Sequence, residues 1–216
     1  MHRSPFPAAI LFALAACGAL AQSPATTDPR EFTEAARKVY AQSLKDARGL
    51  IAEKKYSDAI VILDKLASDR PREPQARFLK GVALADAGRT AEAIVVFRAI
   101  LAEYPELPEP HNNLAVLYAQ KGEYGLARDE LEAAIVSAPD YTIAYENLGD
   151  IYARLATVNY EKAIARDARN KTAPVKLKLV RDALQPSAAG VPAAPATPAP
   201  ATPAPGSTAP APVVPR

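Results

Sequence analysis

The sequence predicts an all-α fold in which short helical hairpins stack side by side into a solenoid. Landmark residues recur every 34 positions through the middle of the chain. Hydrophobic residues make up 49% of the 216 positions and aromatic residues only 6%, which suits closely packed helices better than a β-sandwich. Single glycines and prolines interrupt the helical patterns at matching places, as expected of short helices joined by turns.

The repeat becomes visible when the chain is set in register at a period of 34. Five columns of related residues then line up: Pro71, Pro105 and Pro139; Ala59, Ala93 and Ala127; Ala47, Gly81, Ala115 and Gly149; Leu50, Leu84, Tyr118 and Tyr152; Leu63, Phe97 and Leu131. Each column has a physical reason. A small residue lets two helices approach closely, and the large residue three positions later lies on the same helix face.

Turn residues separate the two helices of each unit and divide one unit from the next. Gly88 and Gly122 lie where the first helix must end, since glycine accepts left-handed backbone angles without penalty. The column of prolines follows the second helix and precedes the next unit. One such hairpin cannot bury its own apolar face, so neighbouring units must stack.

These columns resemble the tetratricopeptide repeat. The stretches "NNLAVLY", "GEYGLARDELEAAIVSAP" and "YENLGDIY" resemble it closely, and the resemblance covers about residues 40–168. It implies a right-handed solenoid whose first helices line a concave groove. It also implies that the protein holds a partner peptide or helix there and is not an enzyme.

The predicted units lie near residues 40–73, 74–107 and 108–141, with a truncated fourth at 142–168, inside a solenoid that spans 28–184. The first unit has no turn glycine, and "EKKYSDA" takes its place. Aligning Tyr160 with Phe97 leaves five residues missing from the fourth unit, all from its turn. We therefore expect one continuous helix over residues 142–169 instead of a hairpin.

Two further helices are predicted to flank the repeats. The first begins with Asp28 as N-cap, Pro29 in the first turn and Glu31 completing a capping box, and it runs on into the first unit. The second, at 174–184, places Leu177, Val180 and Leu184 on one face. This pattern predicts a capping helix with a polar outer side.

The two ends of the chain are predicted to lie outside this fold. Residues 1–21 have the layout of a secretory signal peptide, with His2 and Arg3 before a short apolar run at residues 8–16. Residues 185–216 are rich in Pro, Ala and Thr, which predicts a disordered spacer of polyproline II character.

Two ways of processing the first segment remain open. Cleavage after "ALA" at residues 19–21 would release a soluble periplasmic protein, whereas "LAAC" at residues 14–17 resembles a bacterial lipobox. The second reading would make Cys17 the lipidated N-terminus of an outer-membrane lipoprotein facing the periplasm. Cys17 can also be simply a small residue in an alanine-rich stretch.

Neither catalysis nor a cofactor or metal site is expected. Cys17 is the one cysteine, and His111 is the one histidine outside the first segment, so no nucleophile–base pair or transition-metal set can form. His111 falls in a packing column with Arg77 and Tyr145. Five tyrosines are likewise predicted to belong to the core: Tyr118, Tyr124, Tyr145, Tyr152 and Tyr160.

Charge is unevenly distributed although the net charge is only +2. Residues 101–150 contain 2 basic and 10 acidic residues, for a net charge of −8, and residues 154–182 contain 8 basic and 3 acidic residues, for a net charge of +5. We call residues 101–150 the acidic waist. The small basic surplus argues against nucleic-acid binding.

The register predicts which residues line the groove of such a protein. The predicted partner-binding residues are Phe78, Val82, Glu109, Asn112, Val116, Gln120, Glu146 and Asp150. Phe78, Val82 and Val116 would form an apolar floor, and the acids would select a partner with apolar and Lys/Arg anchors. The sequence thus predicts a non-enzymatic adaptor of the bacterial cell envelope. The alternative is a lipid-anchored assembly factor.

Overall fold

The computed structural model describes residues 34–185, and within that range the chain forms eight α-helices and no strand. The helices are α1 (Glu34–Ala52), α2 (Tyr56–Asp69), α3 (Pro74–Asp86), α4 (Thr90–Glu103), α5 (Pro108–Gln120), α6 (Tyr124–Ser137), α7 (Thr142–Arg166) and α8 (Thr172–Ala183). The all-α solenoid predicted from the sequence is confirmed.

The helices begin at the spacing that the sequence predicts. The helices α3, α5 and α7 begin 34 residues apart, at Pro74, Pro108 and Thr142. Those are the first residues of the predicted second, third and fourth units. The helices α2, α4 and α6 show the same spacing. The 34-residue period is therefore a structural period.

The turns inside the units confirm the predicted breakers. Gly88 and Gly122 both have a φ of +76°, which places them in the left-handed region. Lys54 holds the matching position in the first unit, with a φ of 61°. A non-glycine residue pays about 1–2 kcal/mol there, so the first turn keeps the geometry of the other two at some cost in stability.

A continuous apolar core runs through the stacked helices. Each helix packs on the one before it and the one after it in the sequence, and α1 and α5 also contact α3. The Phe97 side chain is fully buried, and its ring centroid lies 5.7 Å from that of Phe78. The alanines of the small-residue columns are buried as well, which is what allows the close helix approach.

Helix α7 departs from the hairpin pattern, as the missing turn predicts. It is one continuous helix, although it ends at Arg166 and not at residue 169. No second helix of a fourth unit folds back on its first half. Tyr145 and Tyr152 are therefore 50% and 48% exposed, so their assignment to the core is wrong. Tyr118 is buried, and Tyr124 and Tyr160 are partly buried.

Helix α8 packs on α7 in the way that α7 packs on α6. The Tyr152 hydroxyl donates to Glu132 of α6 at 2.9 Å, and the Arg181 guanidinium of α8 donates to Glu161 of α7 at 2.6 Å. Both members of the second pair lie 29 residues after those of the first. A spacing of 29 is the 34-residue period less the five missing residues, so the second half of α7 behaves as the second helix of a unit.

The apolar face predicted for α8 is present, but its outer side is only partly polar, because Val175 and Leu179 are also exposed. Leu177 is buried and Val180 and Leu184 are partly buried, while Lys176 and Lys178 are exposed. The signal-peptide assignment, Cys17, the predicted capping box at Asp28 and the predicted spacer from residue 186 onward all lie outside the described residues.

Candidate partner-binding groove

A surface pocket of about 420 Å³ opens between α5, α6 and α7. We call it the groove pocket. It is lined by Ala115, Val116, Ala119, Gln120, Tyr124, Leu131, Asn147, Asp150, Ile151 and Arg154. The lining residues of α5 and α7 recur at three- and four-residue spacings, so each helix turns one stripe towards the pocket.

The floor of the groove pocket is apolar but differs from the predicted one. Val116 is 41% exposed and lines the pocket beside the buried Ile151. Phe78 and Val82, the other two predicted floor residues, are buried. Helices α1 and α5 both pack against α3, and the Phe78 ring lies against Phe97. These two side chains therefore offer no open surface to a partner, and their assignment to the floor is wrong.

Asn112 joins two helices and is not free to bind a partner. It is buried, and its Oδ1 accepts a hydrogen bond of 2.7 Å from Asn147 Nδ2. The bond links α5 to α7, and Asn147 lines the groove pocket. Because a buried amide without a partner would cost about 1–3 kcal/mol, this pair stabilises the spacing of the two helices and so the width of the pocket.

Glu109 lies in the first turn of α5 and is half-buried. Its Oε2 is buried and accepts no hydrogen bond from the described residues. Burial raises the pKa of this carboxyl above its usual range because desolvation disfavours the charged form. Asn113 Nδ2 donates to the Glu109 carbonyl oxygen at 2.8 Å.

The open rim of the groove pocket carries free charges. Asp150 lines the pocket and is exposed, and Glu146 is exposed one turn earlier on α7. Neither carboxylate forms an ion pair with a described residue. The Arg154 guanidinium lies 6.0 Å from the centroid of the Tyr124 ring, a distance at the limit of cation–π contact. The rim therefore presents two acids and one arginine without ion-pair partners.

The predicted groove residues thus divide into three groups. Val116, Gln120 and Asp150 line the groove pocket, and Glu146 is exposed near it. Phe78, Val82 and Asn112 are buried, and Glu109 is half-buried. The pocket residues that the sequence does not predict include Asn147 and Ile151. Helical spacing could have indicated Asn147, because it lies three residues before the predicted Asp150 and so on the same face of α7.

His111 is a structural residue, as its column predicts. Its Nδ1 lies 2.7 Å from Glu130 Oε2, so it joins α5 to α6. In the same column, Arg77 of α3 holds Glu103 of α4 through two hydrogen bonds of 2.6 and 3.1 Å. Tyr145, the third member, is exposed because α7 has no folded-back partner helix.

The described residues provide no cluster of three or more His, Cys, Asp or Glu side chains that could hold a metal ion. In the same part of the chain, none of the helices has the length and apolar character that a membrane span requires.

The stacked hairpins and the groove between their first helices define a helical repeat scaffold. Sequence models of the tetratricopeptide repeat match residues 44–108 and residues 84–155. Together the two matches cover residues 44–155, just over half of the chain. The protein belongs to the tetratricopeptide repeat family.

Solved structures share this fold. The TPR domain of Sgt2 from Aspergillus fumigatus is 16% identical, with a TM-score of 0.52 over 56% of this chain and 81% of that one. The first TPR domain of the human RPAP3 protein is also 16% identical, with a TM-score of 0.51 over 55% of this chain and 93% of that one. A search of curated proteins found no match.

Membership of this family sets the general role of the chain. Tetratricopeptide repeats are interaction modules that are generally non-catalytic and typically bind other proteins or peptides. The protein is therefore a protein–protein interaction scaffold.

Proposed function

We propose that this protein is a non-enzymatic adaptor of the bacterial cell envelope that holds a segment of a partner protein in the groove pocket. The observation that supports this is the pocket between α5, α6 and α7, with an exposed apolar side chain at Val116 and unpaired carboxylates at its rim.

The charge around the pocket indicates the chemistry of the partner. The pocket lies in the acidic waist, whose net charge is −8. Glu146 and Asp150 are exposed and have no cationic partner among the described residues. An extended or helical segment with one apolar anchor and nearby Lys or Arg residues would fill the floor and pair with the rim. Such charges mainly raise the rate of association.

A displayed library of short random peptides tests this proposal with the purified protein. We expect the selected peptides to combine apolar residues with Lys or Arg. We also expect them to lose affinity for the Val116→Asp variant, because that change puts a charge on the apolar floor. Peptides that bind this variant and the unchanged protein equally would refute the groove pocket as the binding site.

Charge reversal at the rim tests the electrostatic part. The double variant Glu146→Lys, Asp150→Lys should associate more slowly with a selected peptide, and the difference should shrink as salt rises, because charges are screened beyond roughly 10 Å at 0.1 M. Folding should survive, since both side chains are exposed. The matched control is Asp46→Lys, Asp58→Lys, which makes the same change of charge on α1 and α2. Equal rates for all three proteins would make the acidic waist a solubility device.

The proposed location rests on the first segment of the sequence. We place the soluble form in the periplasm. The alternative is an assembly factor held in the outer membrane through Cys17. The mass of the mature N-terminus distinguishes them: a chain beginning at Gln22 supports the soluble form, and a chain beginning at a lipidated Cys17 supports the anchored one. A chain that keeps Met1 would refute export.

A further inference from the structure

The small residue of each unit is matched in size to a residue of the second helix, sixteen positions later. Ala47 precedes Leu63, and Ala115 precedes Leu131, whereas the smaller Gly81 precedes the larger Phe97. All the large members of these pairs are fully buried. A Cβ built on Gly81 would lie 2.6 Å from Phe97 Cε1. Glycine is therefore needed where the facing side chain is aromatic.

The fourth unit has the same combination of glycine and aromatic residue, but its members cannot meet. Gly149 continues the small-residue column, and Tyr160 aligns with Phe97 once the five missing residues are allowed for. Both lie in the continuous helix α7. Eleven residues of α-helix separate them by roughly 16 Å at 1.5 Å per residue. A Cβ built on Gly149 would meet no atom within 4 Å.

The face of α7 that surrounds Gly149 is uncovered. Tyr145 and Tyr152 are about half exposed on it. Their counterparts in the complete units are covered: Leu84 and Tyr118 are buried, and Arg77 and His111 bond to the second helix of their own units. The first half of α7 thus presents a surface shaped for a second helix that its own chain does not supply.

We propose that a second copy of this chain covers that face. Each copy would place the second half of its α7 against the first half of the other copy's α7, and we call this arrangement the exchange. The two α7 helices would lie antiparallel and cross near Leu155. The second half of α7 in each copy would occupy the place that α4 and α6 hold in the complete units. Tyr160 of the second copy would then lie against Gly149. This interface is isologous, since each copy gives and receives the same helix.

Charge complementarity supports a second copy as the occupant. Residues 154–182, which include the exchanged helix and α8, carry a net charge of +5, and the acidic waist that receives them carries −8. Helix α8 moves with the exchanged segment because Arg181 is bonded to Glu161 within it. Exchange therefore brings opposite charges together, and we expect the dimer to weaken as salt rises.

The first experiment measures the mass of the full chain by light scattering over a range of concentrations. We expect a dimer that dissociates on dilution. The variant Gly149→Arg should have half that mass with unchanged helical circular dichroism, because the monomer has open space at this position. The control is Gly49→Arg, another helical glycine that faces open space, and it should remain dimeric. A monomeric unchanged chain, or a dimeric Gly149→Arg variant, would overturn the proposal.

The second experiment tests directly whether Gly149 of one copy lies against Tyr160 of the other. It remains informative even if the Gly149→Arg variant does not fold. It places Gly149→Cys and Tyr160→Cys in one chain, with Cys17→Ser as background. A disulfide needs Cα atoms within about 7 Å, so the straight helix cannot form one internally. Oxidation should give a covalent dimer. A monomer with an internal disulfide, or free thiols at concentrations where the chain is dimeric, would refute the exchange.

Different variants test the dimer and the groove pocket, so either proposal can be refuted while the other stands. Asp150 and Arg154 lie on a different side of α7 from Tyr145, Gly149 and Tyr152, given 3.6 residues per turn. Loss of peptide binding in the Asp150→Lys variant with an unchanged mass bears on the groove alone. A halved mass in Gly149→Arg with unchanged peptide binding bears on the dimer alone.

Discussion

The second unit and helix α7 follow the same sequence pattern but differ in what covers them. Leu84 is 1% exposed in the second unit, whereas Tyr152, two periods later, is 48% exposed. Gly81 lies under the Phe97 ring, whereas Gly149 faces open space. Arg77 joins α3 to α4 through its hydrogen bonds to Glu103. Tyr145, in the same column, forms no hydrogen bond to a second helix of the described residues.

The difference shows that a repeat column fixes where a side chain points but not whether it is buried. Burial depends on the second helix of the unit, which folds back only if a turn lies between the helices. Gly88 and Gly122 supply that turn. Between Asp150 and Arg166 there is no glycine or proline, so the helix continues and its face stays open.

The largest expected effect comes from truncating an aromatic residue in each region. Phe97→Ala should lower the free energy of unfolding by about 3–5 kcal/mol, because a fully buried ring is lost and a cavity is left. Tyr152→Ala should cost less than about 1 kcal/mol when the chain is dilute enough to be a single copy. Urea unfolding of the full chain measures both. Similar losses would mean that Tyr152 is covered in the monomer.

The two glycines should respond to alanine with opposite signs. Gly81→Ala should destabilise the chain by about 1–3 kcal/mol, because its Cβ would overlap the Phe97 ring. Gly149→Ala should stabilise the chain by up to about 1 kcal/mol when the chain is dilute enough to be a single copy, because alanine is the better helix former and the site is open in the monomer. Thermal unfolding followed by circular dichroism compares them. Two changes of the same sign would contradict the difference between the regions.

The smallest expected effect comes from the ion pair between Arg77 and Glu103, which joins α3 to α4 and has no counterpart at Tyr145 of α7. We call this ion pair the clamp. The Arg77 guanidinium lowers the pKa of the Glu103 carboxyl, so the clamp stabilises the fold at neutral pH, and this contribution is lost as pH falls through the pKa of the folded state. Glu103→Gln should cost less than about 1 kcal/mol at neutral pH and nothing in acid. Unfolding in urea at several pH values measures this loss.

The control for that measurement is Glu106→Gln. Glu106 is exposed and forms no ion pair with a described residue. The stability of this variant should equal that of the unchanged chain at every pH. A loss as large as that of Glu103→Gln would show that the effect comes from overall charge and not from the clamp.

The sequence was sufficient for the elements that depend on local signals. The starts of α3, α5 and α7, the turns at Gly88 and Gly122, and the continuous α7 all follow from the period and its breakers. The turn at Lys54 was also placed correctly, because the period requires a reversal there even without glycine.

The residues whose surroundings the sequence does not predict are those whose burial depends on a neighbouring helix, which the repeat columns do not specify. Tyr152 shares a column with the buried Tyr118 but lacks a covering helix. Phe78 fell in a groove position by register, yet it packs on Phe97 while α1 and α5 flank its helix. Asn112 was expected to face a partner but bonds to Asn147. The repeat register therefore predicts which way a side chain points, whereas the exposed fraction of that side chain depends on how the neighbouring helices pack.

The packing of each helix on its sequence neighbours has a consequence for how the chain folds. Contacts between adjacent helices join residues that are close in sequence, so each one closes only a short loop and loses little chain entropy before it forms. Topologies of this kind have low contact order and fold in microseconds to milliseconds. The array can therefore grow from any unit outward along one dimension. Helix α8, which packs on α7 at the C-terminal end of the described helices, should be the first to lose amide protection in hydrogen exchange.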